Sequence, residues 1–212
     1  KRDDYKSYPR NISSDIKKLN KANVDYLYIP SFKDVYEFKT KKKVFLDKFS
    51  KKLCGKNRKG HFKGVVEVVN RFLEIIKPRF IFLGLKDFQQ LYLIKKHILI
   101  RKIKTKVIEC KIIREKNGVA CSSRNFNLSN KQKIIAADIY NYFSKLKKKL
   151  KKTDIFSQRN KLKKILLNLG ANKIDYVVNY NIKDLKTSNT TNKNSKIFVA
   201  YYIKKVRLID NI

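Results

Sequence analysis

Residues 61–83 constrain this chain more than any other stretch. Phe62, Val65, Val66, Val69, Phe72, Leu73 and Ile76 fall on one face of a helix, with Lys63, Glu67, Asn70 and Glu74 on the other. Pro78 cannot continue that helix. Directly after it, Arg79-Phe80-Ile81-Phe82-Leu83 is short and almost wholly apolar, as a central parallel strand covered on both faces should be. A second helix is expected from 87 to about 100, and a further strand over 106–110. Strand, helix, strand in this order predicts a parallel α/β sheet.

The flanking regions read less sharply. Ser13 and Ser14 are placed to cap a short helix running to about Lys21. Residues 25–29 read as a buried strand stopped by Pro30, and 37–60 as a lysine-rich, irregular stretch with a short strand possible over 44–46. The second half has a different character. Ser129 followed by Gln132 is a capping box, opening a long helix striped by Ile135, Ile139, Tyr142, Phe143, Leu146 and Leu150. Another helix is expected from about Asp154 to Leu169, with Gly170 as its stop. Two strand-like runs, 174–178 and 197–202, flank a polar loop over 186–196. This predicts a smaller α+β unit with an antiparallel sheet, and a boundary near residue 112, dividing the chain into 1–112 and 113–212.

The formal net charge of +36 invites nucleic acid or an anionic surface as partner. Its make-up argues otherwise. Only 10 of the 53 basic residues are arginine, the side chain suited to bidentate recognition of phosphate and guanine. The lysines are spread along most of the chain, and the densest run, 145–152, falls at an expected helix end, where cations suit the dipole. A solvated, lysine-biased surface is therefore the primary reading, and a basic nucleic-acid-binding module the alternative. No apolar run approaches the roughly 18 residues needed to cross a bilayer. The three cysteines, Cys54, Cys110 and Cys121, are scattered, with no CxxC pair and only His61 and His97 to accompany them, so no metal cluster is expected. The first five residues contain neither Met nor an apolar stretch. Together these features suggest a soluble, cytoplasmic protein whose N-terminal portion is missing.

Three segments carry candidate chemistry. Gly84-Leu85-Lys86-Asp87-Phe88-Gln89-Gln90 follows the apolar strand and opens a helix, and ligands of open α/β sheets bind beyond the carboxyl ends of the strands. Gly84 allows close backbone approach, Lys86 can neutralise phosphate oxygens, and Asp87 can accept from a hydroxyl or cap the helix. Gln90 faces the same mouth one turn along. The run from Arg114 to Asn125 contains the turn signal Asn117-Gly118, then Cys121-Ser122-Ser123-Arg124, whose two hydroxyls and guanidinium suit a polyphosphate. Arg58-Lys59-Gly60-His61 opens the amphipathic helix, placing an imidazole at its start. A fourth segment, Tyr8-Pro9-Arg10, is short.

In order and spacing these segments resemble the pantothenate synthetases. The family pattern of Tyr-Pro-Arg, Arg-Pro-Gly-His-Phe-x-Gly-Val, Lys-Asp-x-Gln-Gln-Leu, Arg-Glu-x-x-Gly-x-Ala-x-Ser-Ser-Arg-Asn and Arg-Leu-Ile-Asp-Asn is met by Tyr8 to Arg10, Arg58 to Val65, Lys86 to Leu91, Arg114 to Asn125 and Arg207 to Asn211. Val24-Asp25 before Pro30-Ser31 matches a further segment. Lys59 stands where the family has Pro. The family's opening His-x-Gly-His segment, with its catalytic histidine, is not within these 212 residues, which implies an incomplete sequence that is inactive alone. The resemblance implies a Rossmann-like parallel-sheet domain, incomplete at its N-terminus, followed by the smaller α+β lid. It implies an ATP-dependent ligase joining pantoate to β-alanine through a pantoyl adenylate, with ATP and Mg²⁺ required and a homodimeric state. Carried over by position, Gly84, Leu85, Lys86, Asp87, Ile113, Cys121, Ser122, Ser123 and Arg124 match ATP-contacting positions, and Gln90 a pantoate-binding one. Arg58 and His61 lie near the triphosphate side, and Lys86 and Arg124 are the catalytic cations.

Overall fold

The computed structural model describes residues 11–149, 159–189 and 193–212. Among the described residues, helices α1 (Ile12–Lys21) and α2 (Phe32–Tyr36) come first. Asn11, not Ser13 or Ser14, caps α1, its side chain accepting the Ser14 N–H at 2.9 Å. Between these helices no strand forms over 25–29. The segment has no regular secondary structure, Tyr26 is 92% exposed, and no described strand pairs with its backbone.

A 3₁₀ turn, Lys48–Lys51, and α3 (Leu53–Asn57) lead to α4 (His61–Ile76), which starts after Gly60 at φ 77° and ends at Lys77 before Pro78. Its buried side chains are Phe62, Val66, Leu73 and, against the amphipathic pattern, Asn70. Strands β1 (Phe80–Gly84) and β2 (Lys106–Cys110) pair in parallel, Phe80 opposite Lys106, across the crossover helix α5 (Phe88–Ile100). The parallel α/β reading therefore holds, but among the described residues β1 has a neighbour on one side only. Ile81 and Leu83 pack against the core, while Phe82 remains 67% exposed.

Helix α6 (Asn130–Lys149) opens on the expected capping box, Ser129 N–H to Gln132 Oε1 at 2.9 Å and Gln132 N–H to Ser129 Oγ at 3.4 Å. Helix α7 (Arg159–Asn168) stops at Gly170, φ 104°. The region expected to start it, 154–158, lies outside the described residues, as does Leu150. Strands β3 (Lys173–Asn181), β4 (Ser195–Ile203) and β5 (Val206–Asn211) form an antiparallel sheet in that order. The third strand goes beyond the two that the sequence pattern predicts.

This sheet is covered on both sides, which explains why β4 is apolar from Ile197 to Ile203. Ile197, Val199, Tyr201 and Ile203 meet Ile139 and Phe143 of α6 and Leu162 and Leu166 of α7. Phe198, on the alternate face, joins Val178 and Tyr180 in a second core with Phe49, Phe62, Phe88 and Ile94 from the first half. Phe88 and Phe198 lie 5.3 Å apart by ring centroid, and Tyr180 meets Phe49 edge-on at 5.6 Å. The two halves thus share one apolar seam, and the candidate residues gather at its rim.

Candidate active site

The chain leaves β1 at Gly84, tightens into the 3₁₀ turn Leu85–Asp87, and enters α5. Nothing lies within 4 Å of where a Cβ on Gly84 would be, so the backbone there is open to approach. The turn is held from the far end of the sequence. Asn211, 1% exposed at the end of β5, donates from Nδ2 to the carbonyls of Leu85 and Lys86, each at 2.8 Å. Lys86 is half-buried. Asp87 is exposed and makes no side-chain cap bond to α5, so the capping role open to it is not taken up.

The facing wall is the loop between β2 and α6. Arg114 and Ala120 form an antiparallel bridge around a turn at Gly118, whose φ is 89°. Arg114 clamps Asp210 of β5 through two bonds of 2.6 and 3.0 Å, donates to the Gly118 carbonyl at 3.0 Å, and lies over the Tyr140 ring. Asn125, buried, donates to Glu115 Oε1 at 2.7 Å and to the Ala120 carbonyl at 3.1 Å. These bonds fix a 3₁₀ turn, Ser123–Asn127, started by Ser122 Oγ accepting the Arg124 N–H.

A third wall comes from α3 and α4. Arg58 donates to Nε2 of His61 at 3.0 Å, which leaves the imidazole proton on Nδ1. Beside them Cys54 is buried, with its sulfur 3.1 Å from the Tyr176 hydroxyl and 3.6 and 3.7 Å from the two terminal nitrogens of Arg207. Arg207 in turn donates from Nε to Asp175 at 2.7 Å. Burial, then the neighbouring Cys54, pushes the Tyr176 phenol well up. Burial works against the charge on Arg207, and Cys54 with Asp175 more than offsets it.

Between these walls lies an open cleft of about 540 Å³, lined by Arg58, His61, Lys86, Asp87, Gln90, Arg124 and Arg207 among others. A second hollow, about 480 Å³, adjoins it and is lined partly by Ser122, Lys86, Arg124 and Asp210. Lys86 and Arg124 border both. Four cationic side chains around one cleft, with a helix N-terminus behind Lys86, suit a polyanion carrying several phosphates. Gln90 adds a neutral donor and acceptor.

The structure thus brings Arg58, His61, Lys86, Asp87, Gln90, Ser122 and Arg124 to the rim of one composite cavity. Gly84, Leu85 and Ser123 adjoin it without lining either hollow. Ile113, 71% exposed, and Cys121, also exposed, sit side by side through the Cys121 N–H to Ile113 carbonyl bond and lie outside the lining. Tyr8 to Arg10 lie outside the described residues. Sequence reasoning gave no site role to Tyr176 or Asp175, named Cys54 only as a scattered thiol, and quoted Gln89, Arg207, Asp210 and Asn211 only within motifs.

Comparison with known proteins agrees with the resemblance carried by the motifs. A family model described as pantoate-beta-alanine ligase matches residues 1–212. Pantothenate synthetase of Flavobacterium psychrophilum is 36% identical over 214 residues, covering 99% of this chain and 76% of that relative. The enzyme of Endomicrobium trichonymphae is 36% identical over 210 residues, covering 99% and 74%. Among solved structures, pantoate-beta-alanine ligase from Francisella tularensis, complexed with beta-gamma ATP and beta-alanine, superposes with a TM-score of 0.79 at 36% identity, covering 100% of this chain and 73% of that one. Pantothenate synthetase from Thermus thermophilus gives a TM-score of 0.84 at 25% identity over 99% of this chain and 76% of its own. The three-walled cationic cleft, the strand order that builds it and the match over residues 1–212 together place this chain in the pantoate–β-alanine ligase family.

Proposed function

We propose that the cleft binds ATP and that the protein condenses pantoate with β-alanine, giving pantothenate, AMP and pyrophosphate. The observation that carries this is the convergence of Lys86 and Arg124, from different halves of the chain, on one cavity. The ATP and β-alanine complex of the Francisella relative supports it. In the first step a pantoate carboxylate oxygen bonds to the α-phosphorus of ATP and pyrophosphate leaves. In the second the amine of β-alanine attacks the acyl carbon, AMP departs, and the amine loses a proton. Lys86 and Arg124 are preorganised cations that stabilise charge on the phosphates as the first step proceeds. The backbone of Gly84 to Asp87, with Ile113 and Cys121 to Arg124, takes the nucleotide. Gln90 binds pantoate, and Arg58 and His61 attend the triphosphate end.

The fold supports a division of labour in which 1–112 is the Rossmann-like nucleotide-binding unit and 113–212 a lid that carries Arg124 over the bound nucleotide and excludes water from the adenylate. Mg²⁺ fits this site as an ion held chiefly by phosphate oxygens and water. No group of three His, Cys, Asp or Glu side chains converges among the described residues, and Asp87 is the cleft carboxylate left outside the arginine clamps. When bound, the ion neutralises charge on the phosphate chain. No helix among the described residues is long and apolar enough to cross a membrane. The reading of the protein as a cytoplasmic homodimer rests on the family resemblance.

The test is pantoate-dependent release of pyrophosphate. A polypeptide limited to these 212 residues is expected to form no pantothenate until a His-x-Gly-His segment is supplied, because that segment is not within it. In the complemented protein, Lys86→Ala should lower the adenylation rate by about 10²–10³-fold with an unchanged melting temperature. AMP formation that proceeds equally without pantoate would refute the assignment.

A further inference from the structure

Asp210 and Asn211 are consecutive on β5, yet they serve opposite walls of the cleft. Asn211 holds the Lys86 turn by the two 2.8 Å bonds from its amide to the carbonyls of Leu85 and Lys86. Its amide cannot be reversed. Lys196 Nζ donates to Asn211 Oδ1 at 3.0 Å, so the oxygen must face the amine and the nitrogen the two carbonyls. Asp210 takes the bidentate clamp from Arg114 at 2.6 and 3.0 Å and also accepts the Asn211 N–H at 2.7 Å. From Arg114 the connection runs through Glu115 to Asn125 and so to the turn bearing Arg124. Lys86 and Arg124 lie 38 residues apart and border the same cavity, and both backbones are anchored on one dipeptide near the end of the sheet.

We propose that Asp210-Asn211 is a joint that sets the spacing of Lys86 and Arg124, making both members positioning residues for the phosphate-binding cations. Asn211 governs the Lys86 side and Asp210 the Arg124 side. The catalytic meaning of this joint rests on the nucleotide reading above; the joint itself is a property of the fold.

Backbone amide exchange read by mass spectrometry tests it without reference to activity. Asn211→Ala should raise exchange over 85–88 by about tenfold, a local opening, and leave 114–124 near the parent rate. Asp210→Asn should do the reverse. Should Asn211→Ala fail to fold, Asn211→Asp keeps the size and removes the donors, and the same pattern is expected of it. A rise spread evenly over β3 to β5, or no rise at 85–88, overturns the joint. ATP affinity, measured with the protein complemented by the His-x-Gly-His segment as the parent, supplies the coupling. Asn211→Ala should weaken binding by about tenfold in the parent and less than about twofold in a Lys86→Ala background, as interacting sites require. Equal losses in both backgrounds mean that Asn211 is merely structural, which overturns the positioning role. A parent that binds no ATP defeats the nucleotide reading, and the exchange result still decides the joint.

Discussion

Gln89 commits its entire amide to backbone, donating to the carbonyls of Phe49 and Lys52 at 2.8 Å each and accepting the Cys54 N–H at 3.1 Å. Gln90, about 100° further round α5, lines the cleft instead. One glutamine thus fixes the segment carrying Arg58 and His61, and its neighbour faces the cleft. Gly118 shows the same economy. Its φ of 89° belongs to the left-handed region, and a Cβ there would collide with the Tyr140 ring that stacks on Arg114. Gly118→Ala is therefore expected to cost about 1–3 kcal/mol and to loosen the Arg114 clamp. Urea denaturation gives the first effect and ATP affinity the second. At this scale the sequence is readable where a local pattern suffices, as at the Asn117-Gly118 turn and in the segments that carry Lys86, Gln90 and Arg124 to the cleft rim. It is unreadable where the partner is remote. Arg207 meets Cys54 across 153 positions, and no local spacing announces such a contact.

Elements that satisfy themselves locally are also legible. The α4 stripe, the capping box of α6 and the Gly170 stop need only nearest neighbours. Failures occur where tertiary partners decide. The segment 25–29 has a strand's composition but no described strand beside it, and β5 is announced by no conventional turn. Lys204 adopts φ 49° in the β4–β5 hairpin, a conformation usually left to Gly or Asn, with its N–H taken by the side chain of Asn172. Asn70 falls on the polar face of α4 by pattern and is instead fully buried. Its Oδ1 meets His97 Nε2 at 2.8 Å and its Nδ2 donates to the Lys42 carbonyl. His97, also fully buried, accepts the Phe45 N–H on Nδ1 at 3.1 Å, so Nε2 carries the proton and the ring must be neutral. This pair, with Glu74 accepting the N–H groups of Lys41 and Lys42, fastens the irregular 41–45 stretch to α4 and α5. Burial, then Arg101, holds the His97 imidazolium form down, with Glu74 opposing and Lys42 reinforcing. A pKa lower in the folded state than in the unfolded one means that the unfolded chain binds the proton first. Stability from this group is complete above the unfolded value of about 6.5 and declines as pH falls from there toward the lower folded value. The slope cannot exceed about 1.4 kcal/mol per pH unit. Urea midpoints at pH 7.5 and 5.5 should fall more in the parent than in His97→Gln, and equal falls would assign the acid loss to other groups.

On the scale of the whole molecule, the antiparallel sheet is the common wall of two cores, and Phe198 belongs to the seam between them. Phe198→Ala removes a 4% exposed ring that touches both Phe88 and Tyr180. It should cost about 3–5 kcal/mol and separate the unfolding of α5 from that of β3–β5, seen as two exchange-protected units where the parent shows one. The division into a parallel α/β part and an antiparallel part is evident from the order of strand and helix signals, because that order is local information. The shared seam is not, since it depends on which face of β4 meets which half. Charge acts at the same scale. With 53 basic against 17 acidic residues, most cations have no carboxylate to pair with, and acids such as Asp210 and Asp175 are already committed to half-buried arginines. Long-range repulsion among exposed lysines therefore outweighs exposed attraction such as Lys95 with Glu109. Raising ionic strength from about 0.01 to 0.15 M shortens the Debye length from about 30 to 8 Å, which screens the many repulsive pairs and barely touches the buried arginine clamps. The melting temperature should consequently rise with sodium chloride over this range, and rise equally with potassium chloride. A fall would mean that surface ion pairs, not lysine repulsion, dominate the electrostatic balance of the fold.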